Sequence, residues 1–391
     1  MGFYSDFLNK NLSFDDLNKE RKKQLQTISK LRNNRDILVF ASDLTKNIFN
    51  SIDYSDILPF QDQLSNLNGE SIDIILETPG GYAEVVEDLV KLVRKKYDKV
   101  GIIIPGWAKS AGTIFALAGD EILMGPTSGL GPIDAQIILS NNKKYSAEAF
   151  LEGLEKIKKE IEKTGKLNPA YIPILQNISP GEIQHCENAQ NFSQKLVTDW
   201  LSNYKFKFWD THKSSKKVVT KEEKEKRAKE IANELCKQSK WLTHSRSIKI
   251  DDFEELKLQI YDYSKNKELN DAIMKYYTLM RMSFEVSNMV KIYETIESQI
   301  YKFAISQKDD TKIKEPIKQN NEIVEIHFKC PNCKKESLIQ ANLEKSHMTR
   351  PNFFPYPVEN NVFKCPYCGS ENNILELRMQ IESQSGKKIV K

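Results

Sequence analysis

PGWAKSAGTIFALAGDEILMGPTSGLGPIDAQ, residues 105–136, is the stretch that decides the fold. It opens where an apolar run, Val100–Pro105, has the length and composition of a buried strand. Ser110 follows among the small residues Ala108, Ala111 and Gly112, where a helical run, Ala111–Ala118, begins. Glu121–Gly125 then reads as a further strand. The same order stands upstream. Ile72–Glu77 is a buried-type strand, Pro79-Gly80-Gly81 a turn, and Tyr82–Lys96 a helix with Val85, Leu89, Leu92 and Val93 on one face. Asp36–Ser42, DILVFAS, is a strand before both. Strand, turn and helix in alternation predict a parallel α/β architecture with right-handed crossovers.

Two of these turns carry chemistry. A Gly-Gly after a strand lets backbone N–H groups approach a ligand with no side chain in the way. A serine at a strand-to-helix turn has its neighbour's free N–H pointing where an oxyanion would form. Taken singly, TPGG is an ordinary turn and Ser110 an ordinary helix cap. In this order on successive βα units, they predict acyl-transfer geometry at the carboxyl ends of adjacent strands.

TPGG, then AKSAGT, then GPID resembles the serine dehydrogenase proteinase family, related to signal peptide peptidase A and the Clp proteolytic subunit in the Clp/crotonase superfamily. The resemblance is dense over residues 70–137, thinner from 36 to 262, and does not reach the C-terminal unit. It implies an α/β fold built as a Clp/crotonase-like spiral of ββα units with helical additions. It also implies a homo-oligomer acting on protein or peptide substrates. Carried onto this sequence, it makes Ser110 the nucleophile and the backbone N–H groups of Gly81 and Ala111 the oxyanion hole.

A serine nucleophile needs a general base. Asp134 falls close to where Clp-type members place a histidine, and His244, in LTHSRS, matches a Thr-His of the family pattern. Ser110–His244–Asp134 is one candidate constellation. A lysine of the helix 155–159 (Lys156, Lys158) is another, although Glu148 occupies the position where Ser-Lys dyad members carry their base. Lys109 adjoins the serine, so its side chain is expected to point away.

Composition bounds the rest. The chain has 391 residues, 39% hydrophobic and 29% charged, with a formal charge of +4, which describes a globular protein rather than one built to coat nucleic acid. No run approaches the roughly 18 apolar residues of a membrane span. The N-terminus lacks a signal core, and Asp6 stands where a myristoylation pattern has Ser or Thr. The expected location is the cytoplasm. The expected organisation is a helical segment 1–35, a peptidase domain 36–305 with a helical insert at about 146–235, a linker 306–321 and a zinc ribbon 322–391. Within the second of these, 266–305 reads as a long helical stretch.

The ribbon rests on Cys330-Pro-Asn-Cys333 and Cys365-Pro-Tyr-Cys368-Gly369. Each Cys-x-x-Cys turn offers two thiolates, and two turns complete a tetrahedral structural Zn2+ site. Gly369 suits the backbone of such a turn. Short strands are expected at Ile323–Phe328, Leu338–Ala341 and Leu375–Met379. His347 is a spare ligand that four cysteines make unnecessary, and Cys186, Cys236 and His185 have no expected metal role. The loop holding Pro351, Phe353, Phe354, Pro355 and Tyr356 is a candidate docking surface for a protein partner.

The resulting expectation is a serine endopeptidase acting through an acyl-enzyme. With no Walker-type phosphate loop, it would be ATP-independent by itself. The alternatives are a crotonase-type acyl-CoA enzyme, which needs no serine at position 110, and a non-catalytic oligomeric platform using the ribbon.

Overall fold

A computed structural model describes all residues except 1, 11, 47–49, 139–143, 213–215, 305–311, 314–321 and 386. The linker expected at 306–321 therefore lies almost wholly outside the described residues. The chain divides into two compact units, Met1–Lys302 and Phe303–Lys391.

The first unit begins with α1 (Phe3–Asn9) and α2 (Phe14–Leu31), the latter started by a Ser13/Asp16 capping box. Then come β1 (Asp36–Ser42), α3 (Ile57–Ser65), β2 (Ser71–Glu77), α4 (Ala83–Lys96), β3 (Lys99–Ile104), β4 (Trp107–Ala108), α5 (Ala111–Leu117), β5 (Glu121–Met124) and β6 (Gly129–Leu130). A hairpin, β7 (Gln136–Ile138) and β8 (Lys144–Ser146), leads into the helical insert. The insert comprises α6 (Ala147–Thr164), α7 (Ile172–Leu175), α8 (Pro180–Trp200) and α9 (Lys221–Cys236). After α10 (Gln238–Trp241), α11 (Ile250–Glu255) and β9 (Tyr261–Asp262), the chain closes with α12 (Lys267–Glu285), β10 (Met289–Glu294) and β11 (Gln299–Phe303).

Seven strands form the main sheet in the order β11-β10-β1-β2-β3-β5-β9. The five from β1 to β9 are parallel and β10 is antiparallel to β1. Leu38, Phe40, Ile72, Ile74, Leu76, Ile102 and Ile104 meet Val85, Leu89, Val93 and Phe115 in one core. The other face is covered by α2 and α12, which pack along each other. Arg21 of α2 is fully buried there and donates to Glu294 at 3.0 Å and to Tyr301 at 2.6 Å. Phe7 of α1 and Leu17 of α2 form a separate cluster there with Leu279 and Met282 of α12.

Past the carboxyl ends of the main strands the chain makes a second row of short parallel pairings: Ile52 with Gly81, Thr78 with Ala108, and β4 with β6. An antiparallel bridge from Leu130 to Ile248 ends the row. A long strand, a short strand and a helix is the repeating ββα unit of the Clp/crotonase spiral. This row carries the motifs.

One expectation fails here. Residues 266–305 are not one helical stretch: the helix ends at Glu285, and Met289–Phe303 supplies two strands of the sheet. All six residues of β10 are buried, including Lys291, which pairs with Asp56 at 2.8 Å, and Glu294, which pairs with Arg21. Burial on both faces removes the alternation that marks a half-exposed strand.

In the second unit β12 (Lys312–Ile313), β13 (Ile323–Lys329), β14 (Glu336–Leu343) and β15 (Phe353–Pro355) form one sheet. β16 (Val362–Lys364) and β17 (Glu371–Asn373) form a second. α13 (Leu375–Ser385) and β18 (Ile389–Val390) end the chain. The strand expected at Leu375–Met379 is therefore the start of a helix. Ile374, Leu377 and Ile381 turn one face to the small core of Val324, Ile326, Ile339 and Phe363. Among the described residues no helix is long and apolar enough to cross a membrane.

Candidate active site and cysteine cluster

Ser110 lies at the junction of β4 and α5 with φ +51° and ψ −118°. A non-glycine residue held at positive φ stores local strain that the surroundings must over-determine. Its hydroxyl does not cap the helix it starts, so the ordinary capping role is absent. The surroundings are explicit. Thr78 N–H donates to Trp107 O at 2.9 Å and Lys109 N–H to Thr78 O at 3.0 Å, fixing the strand before the serine to the TPGG strand. Behind it, the Thr113 hydroxyl donates to Ala108 O at 2.9 Å and accepts from Gly131 N–H at 2.8 Å.

Gly80 packs straight onto this turn. A Cβ there would meet Lys109 O and the Ser110 Cβ, each at 2.7 Å, and its φ is +101°. Only glycine fits. At Gly81 the parallel bridge to Ile52 uses Gly80 O, which accepts from Ile52 N–H at 2.7 Å, and Tyr82 N–H, which donates to Ile52 O at 3.0 Å. That pattern turns the N–H of Gly81 away from the Ile52 strand. Gly81 is exposed and Ala111 is buried.

Asp134 and His244, 110 positions apart, meet in a hydrogen bond of 2.7 Å between Oδ1 and Nδ1. The aspartate side chain is wholly buried and that of the histidine 26% exposed. Gln136 Nε2 donates to the other carboxylate oxygen at 2.8 Å. With Nδ1–H bound to the carboxylate, Nε2 is the free acceptor of the imidazole. Both residues sit on chain that borders the serine: a Cβ on Gly131 would stand 3.4 Å from Ser110 N, and Lys109 bonds Arg246 O at 3.1 Å.

The lysine candidates are surface residues. Lys156, Lys158 and Lys159 are exposed on α6, the last two beside Glu155 at 3.8 and 3.9 Å. Glu148, in the first turn of α6, neighbours Cys236. Burial first, then Glu148 and Asp134, push that thiol up to about 12. The Lys109 ammonium bonds Leu130 O, Arg246 O and the Ser247 hydroxyl. The hydrogen bonds of Gln136, Thr113 and Lys109 escape sequence reading, although Gln136 stands only two positions past Asp134.

In the second unit Cys330, Cys333, Cys365 and Cys368 offer sulfurs all within 4.8 Å of one another, a set that could hold a metal ion. Cys330 to Cys368 and Cys333 to Cys365 are each 3.7 Å apart. The two turns repeat one geometry. Lys334 N–H donates to Cys330 O and Gly369 N–H to Cys365 O, both at 2.9 Å, with φ of +62° at Lys334 and +73° at Gly369. Ser370, not foreseen, hydrogen-bonds the sulfurs of Cys330 and Cys368 at 3.2 Å and is the main influence drawing the Cys330 thiol down to about 6. His347 pairs with Glu322 at 3.2 Å and stands outside the cluster. Cys186 is buried among Ile137 and Ala147.

The profile of the ClpP-like SDH-type serine proteinases matches residues 5–205. Two uncharacterized proteins of Methanocaldococcus jannaschii are similar. MJ1495 is 40% identical over 81 residues, 21% of this chain and 26% of that protein. MJ0137 is 26% identical over 189 residues, 48% of this chain and 53% of that protein. The chain thus spans about a quarter and about half of these relatives. Among solved structures, a variant of the 1510-N membrane-bound stomatin-specific protease is 17% identical, with TM-score 0.33, over 57% of this chain and 79% of that one. A ClpP1 variant from Listeria monocytogenes is 13% identical, with TM-score 0.28, over 62% and 98%.

Proposed function

This chain belongs to the ClpP-like SDH-type serine proteinases, and on that footing we propose that it is a serine endopeptidase that forms its acyl-enzyme on Ser110. His244 is the general base, Asp134 its orienter, and the N–H groups of Gly81 and Ala111 the oxyanion hole. The observation that carries this reading is the 2.7 Å bond between Asp134 and His244 on chain bordering the strained serine turn.

In this mechanism His244 Nε2 takes the Ser110 proton as Oγ attacks the peptide carbonyl. The carbonyl oxygen becomes an oxyanion facing the two N–H groups, each worth about 3 kcal/mol of transition-state stabilisation. Asp134 holds the imidazole in the tautomer that leaves Nε2 free and stabilises the imidazolium that follows. His244 then returns the proton to the leaving amine, and water repeats the sequence on the ester. Nothing in this chemistry draws on nucleotide hydrolysis, so the enzyme works without ATP on unfolded protein or peptide, as a cytoplasmic homo-oligomer.

The four cysteines are read as a structural Zn2+ site. Tetrahedral thiolates at roughly 2.3 Å from zinc lie ~3.8 Å apart, and two of the sulfur pairs are 3.7 Å apart. The metal would clamp the two turns, and the unit around it serves as a docking module for a protein partner.

The test is cleavage of casein or a peptide library by the wild type beside Ser110→Ala and His244→Ala, with zinc content measured on each. Loss of cleavage in both folded variants supports the reading. An active Ser110→Ala overturns it, and an active His244→Ala moves the base elsewhere.

A further inference from the structure

Lys109 adjoins the proposed nucleophile in the chain, and its ammonium is spent on neutral acceptors. Its ammonium donates to Leu130 O at 3.0 Å, to Arg246 O at 3.1 Å and to the Ser247 hydroxyl at 2.8 Å. These three acceptors match its three protons, and none is a carboxylate. The stem runs across Gly131, where a Cβ would come within 3.0 Å of Lys109 Cδ. Burial and the nearby charge of Lys249 hold its pKa at about 8. Keeping a half-buried ammonium with no counter-ion among the described residues is costly, so the contacts it makes are the reason for it.

Those contacts join two segments. Leu130 lies four residues before Asp134, and Arg246 and Ser247 lie just after His244. The backbone bridge of Leu130 with Ile248, at 2.9 and 3.1 Å, closes the same seam. Lys249 reinforces it through Ser128 O at 2.6 Å and Thr127 O at 3.2 Å. Trp241 and Ile248 anchor the two ends of this segment in the core, but Leu242, Thr243, Ser245 and Arg246 between them are exposed and give His244 itself no apolar packing. Asp134 fixes one ring nitrogen. It leaves the backbone that carries the ring to be fixed by something else.

We propose that Lys109 is the positioning residue of the general base: by pinning the backbone at 246–247 to the nucleophile's own turn, it sets where His244 presents Nε2 to Ser110. The inference rests on the reading of Ser110, His244 and Asp134 given above. Lys109 touches no reacting atom and acts only through His244. A misplacement of about 1 Å in such a pair lowers the rate by ~10²-fold.

The experiment measures the rate at which a fluorophosphonate modifies Ser110 in the full chain, with kcat and KM on one cleaved peptide. The proteins are wild type, K109R, K109M, K109Q, H244A and K109M/H244A, each checked for folding by thermal melting. The expected result is a loss of ~10²-fold in labelling and in kcat for K109M, with KM little changed and most of the rate restored in K109R. In the His244→Ala background, Lys109→Met has no further effect, because the two act as one. K109Q takes the place of K109M if the latter does not fold. Wild-type rates in a folded K109M overturn the proposal, and so does an equal loss in both backgrounds. If His244→Ala labels at the wild-type rate, the base assignment itself has failed, whatever Lys109→Met does.

Discussion

Replacing Glu77 by Gln is expected to flatten the pH dependence of stability in the first unit. Glu77 ends β2, one residue before the TPGG turn, and is wholly buried. Burial pushes its carboxyl up to about 8 from 4.5, against the pull of Arg281, whose guanidinium is 3.4 Å away and is shared with Asp43 at 3.3 Å. A group whose pKa is raised on folding binds its proton more tightly in the native state. Its contribution is therefore complete below the unfolded value and is lost as pH rises through the folded one. Each pH unit inside that window is worth about 1.4 kcal/mol, so the whole window caps the loss at about 5 kcal/mol. Glutamine is neutral throughout. The difference in unfolding free energy, wild type minus E77Q, should thus fall by about 3–4 kcal/mol between about pH 5 and about pH 8. Urea denaturation followed by tryptophan fluorescence suits the measurement, because all 4 tryptophans (Trp107, Trp200, Trp209, Trp241) lie in the first unit. A difference that stays constant across the window would refute the reasoning. It would mean that Glu77 is ionised on Arg281 at neutral pH.

Gly80→Ala should cost roughly 2–4 kcal/mol and abolish labelling of Ser110, because its Cβ would overlap the serine's own Cβ; thermal melting and mass spectrometry check the two effects. Asp134→Asn should leave the fold intact and lower kcat by ~10²–10⁴-fold, since an amide favours the wrong imidazole tautomer; an unchanged kcat in peptide cleavage would remove Asp134 from the mechanism. Chelation, or Cys330→Ser, should release about one zinc per chain and unfold the second unit. Hydrogen exchange should then show lost protection in 322–391 while Ser110 labelling in the first unit persists.

Much of this was legible because the parallel strands are short, apolar and bounded by turns. DILVFAS is β1 to the residue, and the βα units on either side of the Gly-Gly turn lie within a residue or two of where periodicity puts them. The cysteine turns were legible from spacing, and Gly369 adopts the left-handed conformation its place requires. The hairpin after α12 was not. Met289, Ile292, Tyr293, Ile296 and Ile300 fall at helical spacing, and the polar residues between them are buried in ion pairs that no local pattern announces. Leu375, Leu377 and Met379 alternate like a strand, yet Asn373 caps the segment through Leu375 N–H at 2.9 Å, and a helix follows. At the site, Asp134 and His244 came from the family pattern. Physics alone could not have paired residues so far apart. Lys109 was set aside because its side chain was expected to point away from Ser110, and its ammonium bonds Arg246 O and the Ser247 hydroxyl on the chain carrying His244.

The most direct test of the central claim is the intact mass of the full chain after treatment with a fluorophosphonate, followed by peptide mapping. A single adduct on Ser110, absent in Ser110→Ala and formed much more slowly in His244→Ala, is the predicted result. No adduct on a folded protein that nevertheless cleaves peptides, or an adduct on another residue, would contradict it.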